Sequence, residues 1–295
     1  MKIRISAAVA AISALSAAAL LIPPADAPTS IGRPGVIAPI ETVTVKPGRF
    51  AYHMPGEFLK AGRVVAAPVV ERQLRRSVEI MKYQVSAAEY AACVAENACQ
   101  PADSHAEGDV PVTGVNWRDA GAYATWLSLR TGENWRLPND EEWAFVAAER
   151  FGADASGAEA EDSANPAARW LAAYRYRATP RERDMQPKQR GHFGLNSNGL
   201  ADLSGNVWEW TDSCYERIRI NAASRKTETT VNCGVRVIGG QHRGYMSNFL
   251  RDGKSGGCAA GMAPPDNLGF RLVRDPAPAI GVALLRRLVG PENRG

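Results

Sequence analysis

Between Gly152 and Asp275 the chain is a succession of short runs separated by turn formers: "GADASGAEAEDSANP", "PKQRGHFGLNSNG", "LSGN", "GVRVIGG" and "GMAPPDNLG". That is roughly 120 residues without sustained periodicity, where structureless segments above about 15 residues are already uncommon in a compact domain. Glycine supplies backbone conformations that other residues avoid, proline withholds a donor, and asparagine and serine bond their own main chain. A domain built this way needs staples, either disulfides or bound ions.

The five cysteines are the first candidates. Cys93 and Cys99 enclose "VAENA", Cys214 and Cys233 bracket the polar "YERIRINAASRKTETTVN", and Cys258 stands alone. Two residues six apart in one helix lie about 9 Å apart along its axis, so a Cys93–Cys99 bond requires the helix to break near Glu96-Asn97. Zinc is the competing use of these thiols, but no C-x-x-C spacing occurs. An oxidising compartment favours disulfides, and the N-terminus points to one. Lys2 and Arg4 precede an apolar run from Ala7 to Ile22, with small residues at Ala25 and Ala27. The run is about 16 residues, short of the roughly 20 that a spanning helix needs. Residues 1–27 are therefore expected to be a cleaved secretory signal, leaving a periplasmic or secreted chain with no stable membrane anchor.

Residues 28–41 are expected to be a proline-containing, extended lead-in, 42–275 a single domain, and 276–295 a tail in which "IGVALLRRLVG" has the pattern of a short helix. The runs "IETVTVKPGRFAYHM" and "RRSVEIMKYQV" are rich in β-branched residues and predict strands. Three helices are announced by their caps. Ser86 with Glu89 forms a capping box before "AAEYAACVAE". Asn116 opens a helix with Ala120, Tyr123, Ala124 and Leu127 on one face and Gly132 as its stop. Asn139, with Glu142 three residues on, opens another that is expected to run to Gly152. No internal repeat is present. The net charge is only +4, and basic residues are scattered among acidic ones, which argues against nucleic acid as a partner.

Three segments taken in order, "PVTGVNWRDAGAYATWLSLRTGENWRLPNDEEWAFVAAE", "NGLADLSGNVWEWTDSCY" and "NLGFRLVRD", resemble the formylglycine-generating enzyme, or sulfatase-modifying factor, family. The resemblance covers nearly all of 42–275. It implies an α+β fold, a variant of the C-type lectin fold with little regular secondary structure. The residues agree: alternation in "GNVWEW" puts Trp208 and Trp210 on one side of a strand and Glu209 on the other, and Gly269 in "NLGFRLV" permits close backbone approach.

The resemblance also implies structural calcium at the "DLSGNV" turn, with Asp202 as side-chain ligand and Leu203, Gly205 and Val207 as carbonyl ligands. A second family site falls near Asn165, where Pro166 and an arginine-rich stretch depart from the pattern. The competing reading of Asp202 is a turn former bonded to its own backbone.

Formylglycine generators carry two cysteines five positions apart after a Gly-Gly, which hold copper(I). Counting from Gly239-Gly240, these positions fall on Gly244 and Phe249; superposing the Tyr-Met pair moves them to Ser247 and Asp252. Neither register supplies a thiol, so this chain is not expected to make formylglycine by copper chemistry.

What remains in "VIGGQHRGYMSNFLRDGKSGGC" is a set of cleft candidates: His242, Arg243, Tyr245, Ser247, Asn248, Arg251 and Cys258. The loop resembles NirV-type proteins encoded beside copper nitrite reductases, which implies an accessory or maturation factor acting on a periplasmic protein. A second reading is an oxygen-dependent metal oxidase like the PvdO-type proteins or the iron-dependent sulfoxide synthases, acting on a small molecule or a protein side chain. Copper and iron are both open as its centre, although His53, His105, His192 and His242 show no H-x-D/E or H-x-x-H spacing. The third is a lectin-like module that binds a ligand without catalysis.

Overall fold

The computed structural model describes residues 39–152, 186–221, 223–224, 226–251 and 267–276. The expected signal, Asn165, Cys258 and the tail lie outside the described residues. In chain order the strands are β1 (Thr42–Val45), β2 (Gly48–His53), β3 (Glu57–Lys60), β4 (Arg63–Val65), β5 (Val69–Leu74), β6 (Val78–Met81), β7 (Asn134–Arg136), β8 (Trp208–Ile220), β9 (Thr227–Gly239), β10 (Gly244–Ser247), β11 (Leu268–Gly269) and β12 (Val273–Asp275).

The three α-helices among the described residues begin where their caps place them. In α1 (Ala87–Ala95), α2 (Trp117–Thr131) and α3 (Asp140–Ala147), the pairs Ser86/Glu89, Asn116/Asp119 and Asn139/Glu142 each close a reciprocal capping box. Gly132 ends α2 in the left-handed conformation. Asn97, at φ 58°, breaks the chain after α1. The break brings Cys93 and Cys99 to a Cα separation of 5.3 Å in a disulfide.

α3 stops earlier than its sequence suggests. Ala148 has φ 48° and a single 3-10 turn, Ala148–Arg150, follows. The Asn196 amide donates to the carbonyls of Val146 and Ala147 at 2.8 and 3.1 Å, replacing the helix's own next turn.

Strands β1-β6-β12-β7 form one antiparallel sheet and β2-β5 a separate pair. The order β10-β9-β8-β3-β4 forms another sheet, in which β3 and β11 both run parallel to β8. The β8–β9 hairpin is the main departure from the sequence reading. Its outer part, Tyr215–Ile220 paired with Thr227–Asn232, mixes Thr, Arg, Glu and Ile, so the alternation that marks a half-buried strand is weak. Main-chain pairing and the Cys214–Cys233 disulfide, with Cα atoms 4.5 Å apart, define it instead.

One core cluster gathers Tyr90, Tyr123, Leu127, Trp135, Trp210, Ile238, Met246 and Phe270 from α1, α2 and the sheets. A second, with Ile80, Trp143, Val146, Leu200, Leu203 and Val273, lies around α3. Trp208 packs against the first cluster beside Trp210, as alternation requires, while Glu209 is turned to Trp143. An added Cβ at Gly269 would meet the Val112 carbonyl oxygen at 2.7 Å, which is the close approach that its position in "NLGFRLV" calls for.

Candidate functional site

The loop between β9 and β10 owes its shape to its two glycines. A Cβ at Gly240 would lie 2.5 Å from the Trp208 ring, and one at Gly239 would lie 2.6 Å from the Trp143 ring. Beyond them His242 is buried, its ring edge-on to Trp208 at 4.4 Å and its Nδ1 2.7 Å from the Arg243 carbonyl oxygen.

Arg243, expected to line an open cleft, points the other way. It is 1% exposed and bonds Asp140 through both Nε (3.0 Å) and Nη2 (2.7 Å), while the Tyr52 hydroxyl donates to the same carboxylate at 2.7 Å. Burial, the largest single influence, would lower the Arg243 guanidinium's pKa, but the charge and hydrogen bonds of Asp140, with smaller help from Tyr245 and Tyr52, together outweigh it and the net direction is upward. The Tyr52 phenol is pushed far above its ordinary range by burial first and by Asp140 second. A lone charge could not stay in this place, so Asp140 and Arg243 are a structural pair that ties α3 to the start of β10.

Tyr245 also faces the protein: its hydroxyl accepts from the Gly56 N–H at 2.6 Å and its ring meets Tyr215 edge-on at 5.1 Å. Ser247, Asn248 and Arg251 stay together at the end of β10. Ser247 pairs with Val235 in the ladder, and the Asn248 N–H and side-chain amide donate to the Gly234 and Cys233 carbonyls. Arg251 grips Asp119 and donates to the Pro101 carbonyl. Between them Phe249 is 63% exposed. At the positions of the family's thiols, Gly244 is buried opposite Ile238, and Phe249 and Ser247 carry no sulfur. Asp252, like Cys258, lies outside the described residues.

Next to this end of β10 stands a group that the sequence reading missed. Arg236 lies directly across the ladder from Met246, and its guanidinium is stacked 3.8 Å from the centre of the Trp117 ring. Its Nη1 donates to the Asp212 carbonyl at 2.7 Å and carboxylate at 3.2 Å. Burial lowers the Arg236 pKa and raises that of Asp212, with each partner's charge acting the other way. The signal was in "GVRVIGG": alternation places Arg236 on the face of Ile238, an arginine among core positions.

At the expected calcium turn, the Asp202 carboxylate accepts the N–H groups of Gly191 (2.5 Å) and Phe193 (2.8 Å). The carbonyls of Asp202 and Gly205 (both 3.4 Å) and Glu209 Oε1 (2.8 Å) converge on the amide nitrogen of Gln84. Arg271, fully buried, grips the same Glu209 at 2.7 Å through both Nε and Nη2. Leu203 and Val207 bury their side chains at this turn. Three hard oxygens on one point are a donor set that calcium takes, but the Gln84 amide sits in that place. Among the described residues no three His, Cys, Asp or Glu side chains converge as a metal group.

Three capped helices, short sheets and long irregular connections around two buried ion pairs define an α+β domain whose site is built in loops. Residues 33–276 match the sulfatase-modifying factor enzyme 1-like domain, and the chain belongs to that family, the formylglycine-generating enzymes and their relatives. It is 35% identical over 121 residues to the "Inactive C-alpha-formylglycine-generating enzyme 2" of Mus musculus, covering 37% of this chain and 33% of that protein. It is 32% identical over 182 residues to the formylglycine-generating enzyme of Thermomonospora curvata, covering 56% of each. The match thus spans from about a third to just over half of these relatives' length. PvdO from Pseudomonas aeruginosa is similar in fold, with a TM-score of 0.50 and 20% identity, over 79% of this chain and 94% of that one.

Proposed function

We propose that this chain is an exported, non-formylglycine-generating member of its family that recognises a periplasmic protein or a small molecule and serves as an accessory or maturation factor. The observation that carries this reading is the surface at the end of β10. Where the family's chemistry calls for paired thiols it has Gly244 and Phe249, or Ser247 in the other register, and the four described cysteines are consumed in two disulfides. One similar protein is itself named inactive. Export is supported by the basic and apolar N-terminus and by those disulfides, which suit an oxidising compartment. The loop's resemblance to NirV-type proteins makes a copper nitrite reductase the first partner to try. For calcium, the oxygens at hand are the Asp202 and Gly205 carbonyls and Glu209 Oε1, once Gln84 is displaced.

The test is to supply the purified mature protein with copper(I), oxygen and a cysteine-containing peptide, and to probe for aldehyde. None above the protein-free control is expected. Aldehyde formation, or stoichiometric copper or iron in the isolated protein that a His242→Ala change removes, overturns the reading in favour of an oxidase.

A further inference from the structure

The two disulfides stand in opposite surroundings. Cys93 and Cys99 are 0% and 6% exposed and belong to the first core cluster, so their bond is shielded from any thiol in solution. Cys214 is half-buried, and Cys233 is exposed between Asn232 and Gly234, which are exposed as well. The ladder explains the difference. Cys214 and Tyr215 are consecutive on β8, but their partners on β9 are Arg236 and Asn232, so Cys233, Gly234 and Val235 have no partner on β8 and bulge from it. The Asn232 side-chain oxygen accepts the Gly234 N–H at 3.0 Å, a local turn with Cys233 as its middle residue. Main-chain pairs hold both flanks of the bond: Glu209 and Trp210 with Gly239 and Ile238 on one side, Tyr215–Ile220 with Thr227–Asn232 on the other. Opening the bond therefore leaves the two cysteines side by side. The bond also lies on the surface at the end of β10, where the Asn248 amide donates to the Cys233 carbonyl and the next residue, Phe249, is exposed. Thiol–disulfide exchange requires a thiolate to reach one of the sulfurs, and exposed disulfides are the labile or catalytic ones.

We infer that Cys214–Cys233 is a thiol–disulfide exchange site that oxidises a dithiol of the partner protein. The inference rests on the maturation role proposed above and gives the partner a chemical class, a protein with two neighbouring cysteine thiols. A partner thiolate attacks Sγ of Cys233, the S–S bond breaks, and Cys214 leaves as a thiolate that takes up a proton. The partner's second thiolate then attacks the partner sulfur of the mixed disulfide and releases Cys233, which is protonated in turn. The partner dithiol loses two electrons and two protons and becomes a disulfide, the Cys214/Cys233 pair gains them, and each chain oxidises a single dithiol.

The probe is a reduced synthetic peptide with two neighbouring cysteines, mixed with the full mature chain in the absence of oxygen. Acid quenching, alkylation and mass spectrometry count the peptide disulfide formed and map which cysteines of the chain have opened. A stoichiometric yield of peptide disulfide is expected, with Cys214 and Cys233 alkylated and Cys93 and Cys99 still joined. The rate is expected to exceed that of an equal concentration of oxidised glutathione by at least about tenfold, which mere exposure of a structural bond would not give. The paired change Cys214→Ser and Cys233→Ser is expected to abolish the reaction. A rate no higher than that of oxidised glutathione, opening of Cys93–Cys99 in step with Cys214–Cys233, or undiminished oxidation by the paired variant overturns the site. Where the paired variant does not fold, the rate and the alkylation map of the parent chain decide alone. Failure here leaves the recognition reading without copper thiols standing, whereas aldehyde formation in the earlier assay removes that reading and leaves the exchange result intact.

Discussion

Asp140 and Arg243 show what a buried pair does to its neighbours. Each is 1% exposed at the side chain, and Tyr52 gives Asp140 a further donor. Replacing Asp140 with Ala strands a guanidinium in the core, with an expected loss of about 3–5 kcal/mol read as a lower urea midpoint. The double change Asp140→Leu with Arg243→Met is expected to recover much of that loss, because it removes both charges together. A double variant no more stable than the single one would show that the pair carries more than charge compensation. Gln84 poses a second residue-scale question. Its amide nitrogen occupies the point where the Asp202 and Gly205 carbonyls and Glu209 meet. A Gln84→Glu change adds a carboxylate there and leaves a charge for a hard cation to neutralise. Calcium is expected to raise the melting temperature of this variant by several degrees more than that of the parent, measured with and without chelator. Equal calcium shifts in the two proteins would count against an ion site at this turn.

Among the elements, the β8–β9 hairpin depends most on its staple. The Cys214–Cys233 bond closes a separation of 19 residues and sits at an irregularity in the ladder, between the buried inner pairing and an outer part that is largely exposed. The chain-entropy relation gives about 3 kcal/mol for a loop of this length. The paired change Cys214→Ser and Cys233→Ser is expected to cost that amount in denaturant unfolding and to speed amide exchange in Tyr215–Ile220 before any change appears in α2. Uniform acceleration throughout the domain would mean that the hairpin is not a separate unit of stability. The helices start on local signals, although α1 too carries a staple, Cys93–Cys99, at its C-terminal end. Their starts are visible in Ser86, Asn116 and Asn139 because a capping box is a matter of four consecutive residues. The early end of α3 is not visible there, since the donor that replaces its next turn is Asn196, from another part of the chain.

For the molecule as a whole, three tyrosines make its stability depend on alkaline pH. Tyr52, Tyr90 and Tyr123 are buried, and burial is the first cause raising each phenol above its ordinary value of 10.0. The folded chain therefore keeps these protons at a pH where the unfolded chain gives them up. Their contribution is complete below about pH 10 and is lost progressively above it. Denaturant midpoints are expected to fall steeply above pH 10, and less steeply in a Tyr123→Phe variant. A parallel decline in both would assign the effect to other groups. The absence of the thiol pair, and with it the proposed departure from formylglycine chemistry, was likewise readable along the chain, because two positions after Gly239-Gly240 either hold sulfur or do not.

By itself the sequence determined the helix starts, the break at Asn97 that lets Cys93 reach Cys99, the strand position of Trp208 and Trp210, and the family. All of these rest on neighbours within a few residues or on motifs of fixed spacing. It took the fold to turn Arg243 inward to Asp140, to set Gln84 among the oxygens of the Asp202 turn, and to stack Arg236 on Trp117. These partners are 103 residues apart for Asp140 and Arg243 and 125 for Gln84 and Glu209. A charged or polar side chain takes its role from whatever the fold brings within hydrogen-bonding distance, and over such separations that is set by packing and not by local pattern.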